Sequence, residues 1–315
     1  MSKLQSLFLL ATCLLAIGCA GSAQIRPGSS VGLVLSGSAN DGGWNESAAL
    51  GLQQLEEEGF QGSTTQNVSQ AQQESALEAY ASGGYDYVIA HGGEYTDAVR
   101  AVSMRHPGVR FIQTNGTDFG PNWRSLGFSN RQIGYIMGYM AALQSPTGKV
   151  GLILAEGEPD EVQESALHGV TDANPDATLA VAETADYDTP QYGKEAAEEL
   201  LALGVDTFAV VVDGAYVGVH EAIAGMEGVT AFRLRSVSGL PIGTPEVLGG
   251  VFLNAGGLFE TGIEEFEQGV PTSSQFLGFK ESALQMSEFS AAYSPADGAL
   301  VMAAVQGIID GTIIP

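Results

Sequence analysis

Short apolar runs rich in β-branched residues alternate along most of the chain with longer stretches whose apolar positions recur every three to four residues. The runs Val31–Leu35, Tyr85–Ala90, Val109–Thr114, Lys149–Leu154, Thr207–Val212, Val229–Leu234 and Val247–Leu253 predict buried strands, with weaker ones at Ser125–Phe128, Thr178–Ala182 and Ser274–Leu277. Helical spacing covers Asn45–Glu58, Gln70–Ala81, Thr96–Arg105, Gln132–Leu143, Glu161–Thr171, Pro190–Leu203, Tyr216–Met226 and Leu258–Gln268. Strands that are apolar throughout, with helices between them, predict parallel sheets covered on both faces. The expected fold class is α/β, with two doubly wound parallel-sheet lobes in succession. The first lobe is expected over residues 31–128 with return segments at about 255–280, and the second over 129–254 with C-terminal segments at about 281–315.

The first residues break this pattern. Residues 1–18 carry one positive charge, Lys3, then an apolar run from Leu7 to Ile17, and small residues precede Cys19, as in a secretory signal peptide. Leu15-Ala16-Ile17-Gly18-Cys19 resembles a bacterial lipobox, in which the cysteine is acylated and becomes the new N-terminus; an ordinary cleaved signal ending near Ala20 or Ala23 is the alternative. Cys13 falls in the discarded segment, so a chain beginning at Cys19 would have no second cysteine for a disulfide. Residues 19–30 are small and polar, suited to a flexible lipid-anchored tether. No other stretch is long and apolar enough to span a bilayer, so the expected location is extracytoplasmic, with the membrane reached through acylated Cys19.

Charge narrows the partners. With 37 acidic residues against 12 basic ones, the chain lacks the basic footprint that nucleic-acid phosphates require, and the acidity reads as a solvated surface. Catalytic motifs are missing too: there is no HExxH, no Walker Gly-Lys-Ser/Thr and no Gly-x-Ser-x-Gly elbow, that is, none placed between a strand and a helix. The histidines, His91, His106, His168 and His220, are scattered without ligand spacing, and the first loop has no GxGxxG. No catalytic residue, metal or cofactor is expected.

In doubly wound sheets, ligands bind beyond the carboxyl ends of the strands. After the first predicted strand comes a glycine-dense polar loop, Ser36 to Asn45, containing Asp41 and Trp44 and opening directly onto a helix. Glycine lets backbone approach a ligand and the helix start offers free N–H groups. Trp44 suits stacking on a flat ring, or else packs as a staple under the helix. Asp41 and Asn45 are ligand contacts, or a helix N-terminal acid and a cap. Later strands are followed by His91-Gly92-Gly93-Glu94-Tyr95, by Asn115-Gly116-Thr117-Asp118 and by Asp213-Gly214-Ala215-Tyr216. These clusters occupy one topological position and outline one cleft, with His91 either a contact or a structural loop residue.

Three segments carry a family resemblance: Asp41-Gly42-Gly43-Trp44-Asn45-Glu46-Ser47-Ala48 through Gly51, Gly84 to Gly93, and Gly134 to Ala142 leading to Gly148-Lys149-Val150-Gly151, with His106-Pro107 before a strand. Their order and spacing resemble the basic membrane protein family of lipoproteins, the solute-binding components of nucleoside-type ABC importers. The resemblance runs from about Val31 to at least Tyr216. It implies a type I periplasmic binding fold, two lobes joined by a hinge that closes on a purine nucleoside, purine base or related small ring compound, and ABC permease subunits as partners. Carried across, Asp41 and Asn45 would meet the base edge, Trp44 and Tyr216 would stack on it, and Asn115 or Asp118 would contact the sugar. The second lobe departs from the pattern. Arg235-Ser236-Val237-Ser238-Gly239 stands where nucleoside binders carry an Asp for the ribose, and Asn254-Ala255-Gly256-Gly257 where they carry Ser and Lys. Arg235 could instead favour a ligand bearing a carbonyl or an anion. A nucleoside-acting enzyme, and a surface lipoprotein serving as ligand sensor or adhesin, are the alternatives.

Overall fold

A computed structural model describes residues 28–41, 43–235 and 246–315, and for Arg235 the backbone alone. The signal segment, Cys19, residues 20–27 of the tether and the loop 236–239 lie outside the described residues.

The first sheet is built from β1 (Ser30–Leu35), β2 (Gln61–Thr65), β3 (Tyr87–His91), β4 (Arg110–Thr114) and β5 (Trp123–Phe128), connected through α1 (Trp44–Glu57), α2 (Gln73–Ser82) and α3 (Thr96–Arg105). From β5 the chain crosses over through α4 (Asn130–Gln144) into β6 (Lys149–Ala155), α5 (Asp160–Ala173), β7 (Thr178–Thr184), α6 (Pro190–Ala202), β8 (Thr207–Val211), α7 (Tyr216–Ile223), β9 (Thr230–Arg235) and β10 (Val247–Leu253). It then returns through α8 (Ala255–Glu267) to β11 (Ser274–Leu277), which extends the first sheet, and crosses once more to β12 (Leu284–Met286) and α9 (Pro295–Ile309).

The strand orders are β11-β5-β4-β3-β1-β2 and β12-β10-β9-β8-β6-β7. Every pairing is parallel except β10 with β12. The expected α/β class with two parallel-sheet lobes is what the structure contains. Central strands such as β3 and β8 are buried at every position, because helices cover both faces.

Three elements differ from the sequence reading. β2 is the polar Gln-Gly-Ser-Thr-Thr on a sheet edge, pairing with β1 alone, so it carries no apolar signal. β12 is three residues long. α9 is apolar at both buried and exposed positions, with Leu300 and Met302 facing solvent and Val301 and Val305 inside, so it shows no clean stripe.

Two features fix how the lobes sit. The returning helix α8 is tied to the first sheet by charge: Arg124, fully buried, pairs with Glu265 and lies 4.2 Å from the Phe266 ring, while Arg110 pairs with Glu267. The three crossings between lobes are cross-linked by backbone: Ser129 N–H donates to the Leu277 carbonyl at 2.8 Å, Asn254 N–H to that of Ala283 at 2.9 Å, and Leu284 N–H to that of Gly278 at 3.1 Å. The Phe279 N–H also donates to the Gln132 side chain of α4 at 3.0 Å.

Candidate functional site

The carboxyl ends of both sheets open onto one cavity of about 950 Å³ between the lobes. Loops after β1, β3 and β4 with the start of α4 line one wall, and loops after β6, β7 and β8 with the end of β9 the other. Of the residues expected from sequence, Asp41, Trp44, Asn45, Gly92, Asn115, Asp213 and Tyr216 all line it.

The start of α1 is organised by Asp41. Its carboxylate accepts hydrogen bonds from the backbone N–H groups of Gly43, Asn45 and Glu46 and from Asn45 Nδ2, at 2.7–3.1 Å. Burial works to raise the pKa of this carboxyl, but the hydrogen bonds from Asn45, Gly43 and Glu46 outweigh it and hold the group below the usual range. Asn45 in turn accepts from Gly37 N–H at 3.1 Å. Both open readings of this pair therefore meet in one geometry, since the two side chains brace the loop while bordering the cavity.

Trp44 is half-buried and presents its ring to the cavity, supported from behind by His91 in parallel stacking and from the edge by Phe128. His91 itself does not line the cavity. It is fully buried, and burial drives its pKa down to about 3 against weaker opposing effects of the Trp44 carbonyl and Asp41. Because a carbonyl only accepts, Nε2–H donates to the Trp44 carbonyl at 3.0 Å, which leaves Nδ1 to accept from the Thr114 hydroxyl at 3.0 Å. The neutral ring is thus a support for Trp44 and not a ligand contact.

Two further expectations are corrected. Tyr95 points into the core of the first lobe, fully buried, and its hydroxyl finds no hydrogen-bond partner among the described residues. Asp118 lies outside the cavity lining, paired with Arg100 at 2.5 Å. Loop position alone does not say which way a side chain turns.

On the opposite wall, Tyr216 is nearly buried, and the Arg233 guanidinium lies 4.0 Å from its ring centroid, so one face of this ring is already covered. Arg235 carries no described side chain. Glu94, part of the expected cluster after β3, lines the cavity as well; sequence reasoning missed Phe128, Glu158, Tyr187, Asp188 and Arg233, which also line it. The rule of reading beyond each strand would have found Glu158 after β6, and Tyr187 with Asp188 after β7. Tyr187 is 41% exposed and donates its hydroxyl to Glu158 at 2.5 Å. Burial raises the Glu158 pKa; the Tyr187 hydrogen bond opposes this and the Asp213 charge adds to it. Across the cleft, a Cβ placed on Gly43 would lie 3.3 Å from the Asp213 carboxyl, so the two lobes touch at the start of α1.

Among the described residues no group of three or more His, Cys, Asp or Glu is arranged to hold a metal, and no helix is long and apolar enough to cross a membrane. The cleft offers an aromatic plate, hydrogen-bonding edges and carboxylates on two bodies that share a cross-linked hinge.

A family model described as "ABC transporter substrate-binding protein PnrA-like" matches residues 29–228. Among curated relatives, a CD4+ T-cell-stimulating antigen of Listeria innocua is 28% identical over 58% of this chain and 54% of its own length. Basic membrane protein A2 of Borrelia garinii is 25% identical over 65% of this chain and 63% of its own length. The match thus spans less than two thirds of these relatives. Solved structures with the same fold include an ABC transporter solute-binding protein from Conexibacter woesei, with TM-score 0.77, 22% identity, and coverage of 91% of this chain and 98% of that one. A transcriptional activator of the comK gene from Bacillus halodurans has TM-score 0.80 and 24% identity, covering 91% of this chain and 100% of that one.

Proposed function

Since this chain belongs to the Bmp family of PnrA-like ABC transporter substrate-binding proteins, we propose that it captures a purine nucleoside, a purine base or a related small ring compound by hinge closure and hands it to ABC permease subunits. The observation that carries this reading is the Trp44 ring, held flat at the mouth of a two-walled cavity by His91 and Phe128 and flanked by the Asp41–Asn45 pair. A rigid aromatic face beside a donor–acceptor edge suits a heterocycle, and stacking of this kind contributes about 1–3 kcal/mol per base. Contacts from both walls are complete only when the lobes are together, so ligand favours the closed form by its differential affinity and presents one shape to a permease. The sequence around Cys19 supports a lipoprotein tethered on the extracytoplasmic side; the leash is shorter than the expected 19–30, because Ser30 already belongs to β1 and Gly28 and Ser29 are hydrogen-bonded to the chain beside β2.

A thermal-shift screen of the chain beginning after Cys19, against bases, nucleosides, sugars and amino acids, tests the ligand class, because a ligand that binds only the native state raises the melting temperature by mass action. Response to purines or their nucleosides, lost in Trp44→Ala with the fold intact, is the expected result. Response to sugars or amino acids alone would discard the ring compound. The anchor is tested separately by expression in a bacterium supplied with labelled fatty acid, which should label the parent and not Cys19→Ser.

A further inference from the structure

We infer that the cleft prefers a flat ring bearing a positive charge, an N-alkylated or protonated heteroaromatic cation, over its neutral counterpart, and turns anionic analogues away. This rests on the reading of the cavity as a ring-binding site and adds its charge selectivity.

The ionisable residues of the lining are unbalanced. Asp41, Glu94, Glu158, Asp188 and Asp213 face the cavity from the two lobes, and Arg233 is the one described basic side chain among them. The guanidinium of Arg233 is stacked on Tyr216 at 4.0 Å, which fixes it against the wall of the second lobe. Residues 236–245, Ser-Val-Ser-Gly-Leu-Pro-Ile-Gly-Thr-Pro, contain no ionisable side chain, and neither does Gly42, so these segments cannot restore the balance. Counting Arg235 in full would still leave carboxylates in excess. Other basic side chains are engaged away from the cavity: Arg100 with Asp97 and Asp118, Arg105 with Glu74 and Glu78, and Arg131 with Glu161.

Trp44 adds an independent preference of the same sign. The face of an indole is the negative end of its quadrupole, and it attracts cations more strongly than any other side-chain ring. A positive charge stacked behind that ring would cancel the attraction. The group behind it is His91, whose hydrogen bonds to the Trp44 carbonyl and Thr114 and whose complete burial hold it as a neutral imidazole. A ring cation on Trp44 would therefore meet a negative face on one side and carboxylates of both lobes around it. A phosphorylated ligand would have to bring further negative charge among those same groups, in a partly desolvated cleft where screening is weak.

The test is isothermal titration of the chain beginning after Cys19 with two matched series at pH 7: 1-methyladenosine, adenosine and adenosine monophosphate, then the pyridinium 1-methylnicotinamide, nicotinamide and nicotinate. Cation tighter than neutral by about ten-fold, with the anion weaker still, is expected in whichever series binds. The doubly neutralised variant Glu158→Gln, Asp188→Asn should shrink the cation-to-neutral ratio. Neutral compounds that bind as well as or better than the cations in both series would overturn the charge preference and leave the ring-binding site standing. Silence from both series, with a response to sugars or amino acids, would remove the ring-binding reading and this inference together.

Discussion

Trp44 and His91 lie with ring centroids 4.1 Å apart and planes 24° from parallel, and the imidazole donates a hydrogen bond to the carbonyl of the tryptophan it supports. The two residues come from different elements, the start of α1 and the end of β3, so the plate bordering the cavity is fixed to the sheet through a side chain that never reaches the cavity itself.

This arrangement gives His91 a pH signature. Its pKa falls from about 6.5 unfolded to about 3 folded, so between those values the unfolded chain takes up a proton that the native state refuses. The contribution to stability is whole above pH 6.5 and is lost as the pH falls through that window, on the order of 3 kcal/mol by pH 4.5. His91→Phe keeps a flat ring behind Trp44 and removes the titration. Urea denaturation at pH 7.5 and 4.5 should show a smaller acid-induced loss in the variant than in the parent; parallel losses would mean that the imidazole does not resist protonation.

The approach of Gly43 to Asp213 leaves little room for a side chain at position 43. Gly43→Ala should hold the lobes slightly apart, weakening ligand binding by roughly ten-fold, as expected of a tight contact forced to give. Titration gives the affinity, and small-angle scattering with saturating ligand should show the variant less compact than the parent. Equal affinity would place the closing contact elsewhere.

Tyr95 carries a buried hydroxyl that finds no partner among the described residues. Removing it in Tyr95→Phe should raise stability by about 1 kcal/mol, since an unsatisfied buried polar group is a net cost. Ligand affinity should not move, because the ring lies in the core of the first lobe and not on the cavity. Chemical denaturation and titration of the same variant check both halves.

Glu265 is the carboxylate partner of the buried Arg124, which otherwise meets the Val270 carbonyl at 3.1 Å and the face of Phe266. Glu265→Ala leaves that guanidinium buried without a counter-charge, and a loss of about 3–5 kcal/mol is expected in equilibrium unfolding. A loss below 1 kcal/mol would show that the ring and carbonyl suffice.

The α/β class was legible because the strands at the middle of each sheet, β1, β3, β6 and β8, are covered on both faces and therefore read as unbroken apolar runs. What escaped lies at edges or lacks contrast: β2 is polar because its outer side is unpaired, and α9 is apolar almost all round. At the cavity, reading past the strand ends located Asp41, Trp44 and Asn45, since a rigid loop feeding a helix leaves few choices of direction. The same reading included His91 and Tyr95, which turn inward, because direction is set by packing partners such as Thr114 that are distant in sequence. Tyr187 and Glu158 escaped for the converse reason: their hydrogen bond joins loops 29 residues apart, and neither loop is distinctive by itself.

The crossings at Ser129, Asn254 and Gly278–Leu284 have a mechanical consequence. A single linker would allow twist, slide and bend, but three backbone segments hydrogen-bonded to one another or to neighbouring side chains resist twist and slide together and leave bending as the soft direction. Under the closure proposed above, the lobes would approach along nearly one path. Ligand size would then be read as an angle, and two ligands of different thickness on Trp44 would stop the same hinge at two different openings.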